Sequence, residues 1–240
     1  MPRPKAPDYD AQRDAILERA TGAFAELGYA SASMAQVARA CGTSKARLYH
    51  YFPSKDAILF ESLDRYTRRL GRCVEAVRAR GLAPTAELAE LVLALVTEYR
   101  DSRAWHIALL NDVKFLPAAD RERIKAQQRA VVDAIADTVE RVAPGRFPAA
   151  QRKPATMALL GMINFTFAWL RPDGPMSHER YADLVTGLWL QALDAPAAPV
   201  ALDALNALKA PAAPAAPTAP VATISPDAGA APVRTRLRSV

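Results

Sequence analysis

Cysteine is scarce in this 240-residue chain: Cys41 and Cys73 are the only two. That is too few for a disulfide framework or a cysteine zinc site, and both fall in helical apolar patterns where a small hydrophobe belongs. A reducing cytoplasm is therefore the expected setting. Long apolar runs are missing as well. The longest, Met157 to Leu170, is interrupted by Gly161, Asn164 and Thr166 and falls short of the roughly 20 residues that cross a bilayer. Met1 to Tyr9 is basic but passes into Pro, Asp and Gln with no apolar segment, so no signal peptide and no membrane partner are expected. Recognisable catalytic patterns are absent: no HExxH, no GxSxG, no Walker glycine loop, no GxGxxG. The three histidines, His50, His106 and His178, lie on different predicted elements. No enzyme activity, cofactor or metal is expected, and an all-α enzyme with a concealed site is the remote alternative.

Charge is present but unevenly placed. The net +6 divides into +3 over residues 1–55, +1 over 56–195 and +2 over 196–240. A small basic module on a near-neutral body points to a polyanionic partner and excludes a uniformly basic, histone-like chain. The last 45 residues contain 8 Pro and 15 Ala and no aromatic residue. Such a segment buries too little apolar surface to offset its ordering entropy, so a disordered tail over 195–240 is expected. A transient helical turn within Val200 to Lys209 is compatible with it, as is loose phosphate contact through Arg234, Arg236 and Arg238.

The rest reads as helix after helix, with apolar residues every three or four positions and no alternating β-branched run. The expected fold is all-α, with about nine helices. Ile16, Leu17, Ala20, Phe24 and Leu27 stripe the first helix, which stops at Gly28. Ser33 caps a short second helix, Gly42 breaks the chain, Thr43 caps a third and Ser54 a long fourth. Thr85, Ser102, Pro117, Pro154 and Ser177 mark the starts of the five that follow, the fourth of these running to Leu170.

Residues 33–50 thus form two short helices around a tight turn, the helix-turn-helix pattern. On the second, Leu48 points inward. Thr43, Ser44, Lys45, Arg47, Tyr49 and His50 stay outside and supply donors for phosphates and base edges within about two turns. A solvated charged face would have the same composition.

The run Gly42-Thr43-Ser44-Lys45-Ala46-Arg47-Leu48-Tyr49-His50-Tyr51-Phe52-Pro53-Ser54-Lys55, with Gly28-Tyr29, Ser33-Met34 and Val37-Ala38 before it, resembles the DNA-binding domain of the TetR family of bacterial transcriptional regulators. The resemblance covers about 50 residues; beyond them it extends to layout alone. It implies a helix-turn-helix domain at 8–55 and a helical ligand-binding and dimerisation domain at 56–194. In such a protein Ser33 and Thr43 donate to phosphates from helix starts, and Lys45, Ala46 and Arg47 face base edges, with Arg47 reading guanine. Tyr49, His50 and Tyr51 pack on phosphate and sugar, and Lys55 clamps a phosphate from the fourth helix. His50 has the alternative of a partly buried hydrogen-bonding ring, and Tyr51 that of a half-core residue.

The implied partners are a double-stranded operator with inverted half-sites, a second copy of the chain and a small hydrophobic effector. Tyr181, Leu184, Val185, Leu188 and Trp189 on the last helix fit either a dimer face or an intramolecular core. The apolar helix with Asn164, together with Trp105, Asn111, Phe115, Phe167 and Trp169, is the expected effector wall, although Asn164 is equally compatible with plain helix packing. Leu110 to Leu116 and Trp169 to Pro175 are similar to segments of family members that control fatty-acid or aromatic-acid breakdown. That similarity implies an acyl-CoA effector, yet no Arg/Lys cluster for its phosphates is visible in the sequence. A regulator of an efflux or other pathway with a different hydrophobic ligand is the alternative to a ligand-released repressor of such catabolism.

Overall fold

The computed structural model describes residues 8–195. The Pro/Ala-rich tail, with the helical turn expected within Val200 to Lys209 and with Arg234, Arg236 and Arg238, lies outside the described residues.

Local chemistry accounts for the first helices. The stripe Ile16, Leu17, Ala20, Ala23 and Phe24 is buried along α1 (Tyr9–Leu27). That helix stops at Gly28, whose φ of 77° suits a residue without Cβ. Ser33 and Gln36 form a reciprocal capping box at the start of α2 (Met34–Ala40). Gly42, at φ 65°, turns the chain into α3 (Lys45–Tyr51). The cap there is Ser44 rather than Thr43: Ser44 Oγ accepts from Arg47 N at 3.1 Å. The backbone N–H of Thr43 is committed to the Ala38 carbonyl at 2.9 Å, which ends the α2 turn instead of starting α3.

Ser54 caps α4 (Lys55–Arg78), accepting from Ala57 N at 3.0 Å. At 1.5 Å per residue this helix is about 36 Å long. It packs against α1, α5 (Pro84–Asp101), α6 (Arg103–Asp112) and α7 (Ala118–Val142). Ile58, Leu59, Leu63 and Tyr66 on it are fully enclosed. A 3-10 turn (Val113–Phe115) follows α6, and α7 leads through the loop around Pro144 to α8 (Ala149–Asn164). After a one-turn α9 (Thr166–Trp169), α10 (His178–Asp194) lies along α5 and α8, with Ser177 as its cap. Each expected helix has its counterpart.

The differences from expectation are local. Ser102 does not cap α6; its hydroxyl donates to Glu98 Oε1 at 2.6 Å. Pro84 rather than Thr85 opens α5. Pro154 lies inside α8, where it removes one intrahelical hydrogen bond without ending the helix. The same helix stops at Asn164, not Leu170. Two side chains take up carbonyls there: Thr166 Oγ1 donates to Ile163 O at 2.9 Å and His106 Nε2 to Asn164 O at 2.8 Å.

Cys41 is buried, its sulfur 3.5 Å from the Ile16 carbonyl. Burial raises both thiol pKa values, with nearby Glu98 adding to the effect at Cys73. Among the described residues no helix is long and apolar enough to cross a membrane.

One buried charge joins three helices. Glu87 on α5 accepts from Thr138 Oγ1 at 2.7 Å and from Arg141, both on α7, with Arg78 of α4 at 3.8 Å. Burial pushes its carboxyl up, but these donors outweigh that and hold it below the ordinary value. Glu87→Ala removes the acceptor shared by Thr138 and Arg141, leaving the Thr138 hydroxyl only the Ala134 carbonyl at 3.2 Å, and should lower the unfolding free energy by about 1–3 kcal/mol. Glu87→Gln keeps an acceptor and should lose less, as read from urea midpoints.

Candidate DNA-binding face and effector cavity

The exposed face of α3 carries Lys45, Ala46, Arg47, Tyr49 and His50, with Ser44 at its start and half-buried Thr43 just before it. Leu48 and Phe52 are enclosed beneath them in the common core, and α3 packs on α2. The Lys45 ammonium lies 5.9 Å from the Tyr49 ring. His50 meets Tyr9 and Tyr51 edge-on at 5.8 and 5.4 Å, so it is an exposed ring held by aromatic contacts. The structure brings these residues onto one exposed surface of about two helical turns.

Three other residues of the expected interface are committed elsewhere. Tyr51 is 9% exposed, and its hydroxyl donates to Gln12 Oε1 at 2.7 Å. Ser33 donates its hydroxyl to Gln36 Oε1 at 2.7 Å, within the capping box. The Lys55 ammonium donates to the carbonyls of Tyr29 and Ala32 at 2.8 and 2.9 Å and sits 4.3 Å from the Tyr29 ring. It ties the start of α4 to the turn between α1 and α2, so in this conformation it braces that turn instead of projecting as a phosphate clamp.

Within the body, a cavity of about 350 Å³ opens between α4, α5, α6, α7 and α8. Leu70, Leu109, Leu110, Val131, Val132, Met157 and Leu160 give it apolar walls, and Thr67, Tyr99, His106 and Asn164 contribute polar atoms. His106 is the most constrained of these. A carbonyl only accepts, so Nε2 must carry the proton given to Asn164 O, and Nδ1 then accepts from the Tyr66 hydroxyl at 3.1 Å. Tyr99 stacks on the ring at 3.8 Å. Burial lowers the imidazole from 6.5 to about 4, opposed by the bond to Asn164, so the ring is neutral at physiological pH.

The same cavity has a cationic rim: Lys125 and Arg129 on α7 and Lys153 on α8. Arg129 pairs with Glu122 at 2.5 Å and Lys153 with Asp133 at 3.1 Å. These pairs lie at the surface and contribute little, so an incoming anion can replace them cheaply. No sequence motif marks this group. Residues 125 and 129 share a helix face, but Lys153 joins them only through the packing of α8 on α7.

Of the residues expected on the effector wall, Asn164 lines this cavity. Phe167 and Trp169 line a second pocket of about 280 Å³ with Tyr99, Arg100, Arg103 and His178. Three others lie elsewhere. Trp105 faces a surface groove with Arg65, Arg68, Arg69 and Arg72. Asn111 is exposed on α6. Phe115 leaves the body altogether and packs on Tyr29 at 5.4 Å. It does so because the 3-10 turn after α6 points toward the turn between α1 and α2. Beside it, Asp112 is buried, and this raises its carboxyl from 3.8 to about 6, with Lys114 and Lys55 opposing.

Comparison with known proteins agrees with this geometry. Residues 16–61 match the family model described as bacterial regulatory proteins, tetR family, and residues 81–193 match the tetracyclin repressor-like C-terminal domain. A transcriptional regulator of the helix-turn-helix type from Mycobacterium tuberculosis is 35% identical over 91 residues, which are 38% of this chain and 45% of that one. The chain thus spans less than half the length of this curated relative. A TetR-family transcriptional regulator from Bordetella parapertussis, known as a crystal structure, is 32% identical with a TM-score of 0.74, covering 79% of this chain and all of that one. The crystal structure of AibR in complex with isovaleryl coenzyme A and operator DNA superposes with a TM-score of 0.66 at 25% identity, over 74% of this chain and 97% of that one.

Two buried groups give this region opposite pH dependences. The unfolded chain binds a proton at His106 between pH 6.5 and about 4 that the folded chain refuses, so stability is lost as pH falls through that window. At Asp112 the folded chain keeps a proton that the unfolded chain releases, so stability is lost as pH rises from 3.8 to about 6. Relative to wild type, His106→Phe should gain stability on going from pH 7 to pH 4. Asp112→Asn should be favourable at pH 7 and lose that advantage at pH 4. Denaturant unfolding across pH checks both; profiles parallel to wild type would contradict the assignments.

Proposed function

The chain belongs to the TetR family of bacterial transcriptional regulators, and from that premise we propose that it is a cytoplasmic, ligand-released repressor acting as a homodimer on an inverted-repeat operator. Its effector is an amphipathic anion of the acyl-CoA class, the product or substrate of fatty-acid or aromatic-acid catabolism. The observation that carries the ligand reading is the pairing of an apolar cavity with the rim Lys125, Arg129 and Lys153. Apolar walls suit a short acyl chain, and clustered cations suit phosphates. The isovaleryl coenzyme A and operator DNA named for AibR support the same class.

DNA binding rests on the exposed α3 face, with Arg47 the base reader and Lys45, Tyr49 and His50 beside it. Ser44 and Thr43 contribute phosphate contacts from the start of α3, while Ser33, closed into its capping box, fixes the start of α2. Lys55 and Tyr51 act from behind by fixing the head. A dimer follows from α8 and α10: Met157, Leu184 and Leu188 are large apolar side chains about half exposed to water, the kind of surface that a two-fold partner covers.

Release follows from the walls that the cavity shares with α4. Thr67 and Leu70 line it, and Tyr66 is bonded to His106. A ligand that displaces His106 or α8 alters the seat of α4, whose first turn holds the head through Lys55. It releases DNA only as far as it prefers the non-binding conformer.

On a duplex selected by the protein from a random-sequence pool, Arg47→Ala should cost about 1–3 kcal/mol of binding free energy and relax base preference. Isovaleryl-CoA or another short acyl-CoA should weaken that complex, and Lys125→Ala/Lys153→Ala should reduce the response to the acyl-CoA more than the response to the corresponding free acid. A gel-shift series unaffected by every acyl-CoA that binds would refute the coupling. Sedimentation should show a dimer at micromolar concentration, shifted toward monomer by Leu184→Glu/Leu188→Glu.

A further inference from the structure

Arg47 does not project freely from α3. Its Nη2 donates to Gln12 Oε1 on α1 at 2.6 Å, and the Tyr51 hydroxyl donates to the same oxygen at 2.7 Å. Two donors fill both lone pairs of that oxygen. The remaining amide group is also engaged: Gln12 Nε2 donates to Asp8 Oδ2 at 2.5 Å. Only one orientation of the carboxamide satisfies all three contacts, because an NH₂ in place of Oε1 would face two donors. Gln12 is half-buried and lies outside the helix-turn-helix segment.

We propose that Gln12 is a specificity-determining positioning residue, which holds one edge of the Arg47 guanidinium so that the other is presented to a base in the major groove. This rests on the reading that Arg47 contacts a base. The guanidinium has five N–H donors in a rigid fork, and anchoring one of them leaves the opposite edge intact for a bidentate contact. The side chain otherwise has many rotamers to lose on binding DNA, and prior anchoring removes part of that cost. A neutral carboxamide suits this role better than a carboxylate. Glutamate would neutralise the cation and compete with guanine for it; glutamine orients the arginine and leaves its charge available.

The test uses the full chain, the duplex selected from a random-sequence pool and a scrambled duplex of equal length. Gln12→Ala should weaken the selected complex about fivefold to tenfold, an effect comparable to a lost rotamer constraint, and change the scrambled complex by less than about twofold. Gln12→Glu should weaken the selected complex more than Gln12→Ala does. In the Arg47→Ala background Gln12→Ala should have no further effect on the ratio of the two affinities. Equal losses on both duplexes, or a Gln12→Ala effect that persists without Arg47, would overturn the proposal, and a thermal melt of each variant identifies losses that come from a loosened head. If Arg47→Ala itself leaves selectivity unchanged, the base-reading role of Arg47 fails, an outcome distinct from an uncoupled Gln12.

Discussion

The hydrogen bond from the Tyr66 hydroxyl to Nδ1 of His106 joins α4 to α6 in a part of the molecule closed to water, and it exists only while the imidazole is neutral. Around it the rest of the body is arranged. The other ring nitrogen takes the carbonyl at the end of α8, and Tyr99 of α5 covers the ring face. Four helices thus meet at one side chain, on the wall of a cavity that combines an apolar interior with a cationic rim. The helix that follows the DNA-binding head, the helix that exposes Met157 and the apolar cavity share one polar junction. Low local dielectric makes such a junction costly to leave half-satisfied, which favours two discrete arrangements over gradual deformation.

The head was largely legible in the sequence because its determinants are local. Gly28 and Gly42 supply positive φ at the two turns, Ser33 and Ser54 cap the helices they precede, and Leu48 shows which side of α3 is buried. The charge excess at residues 1–55 falls where the exposed cations of α3 lie. What sequence could not display was competition for the same atoms. Lys55 and Tyr51 have the right chemistry for phosphate, but carbonyls 23 and 26 residues away and a glutamine 39 residues away reach them first.

In the body the reverse holds: helix spans were readable, while the site was not. Apolar residues on all sides of residues 157–170 gave no periodic face, so the stop at Asn164 depended on side chains of His106 and Thr166 that no local rule points to. Trp105 and Phe115 are aromatic and near the right helices, yet its place on α6 turns Trp105 to a surface groove, and the 3-10 turn after α6 carries Phe115 to the head. The cationic rim arises from packing of α7 against α8 and has no signature along the chain. Phe115, Asp112 and Lys55 gather at the contact between α6 and the head, where body and DNA-binding surface are joined by side chains rather than by chain continuity alone.

The two thiols have a practical consequence. Burial keeps Cys41 and Cys73 protonated beyond the ordinary cysteine range, and it is the thiolate that reacts with maleimides. A single cysteine placed on the exposed side of α3 would therefore outpace both native thiols in labelling, with no need to remove them first. A fluorophore attached in this way would report changes in the surroundings of α3 directly, in solution and in real time, as DNA or a candidate acyl-CoA is added.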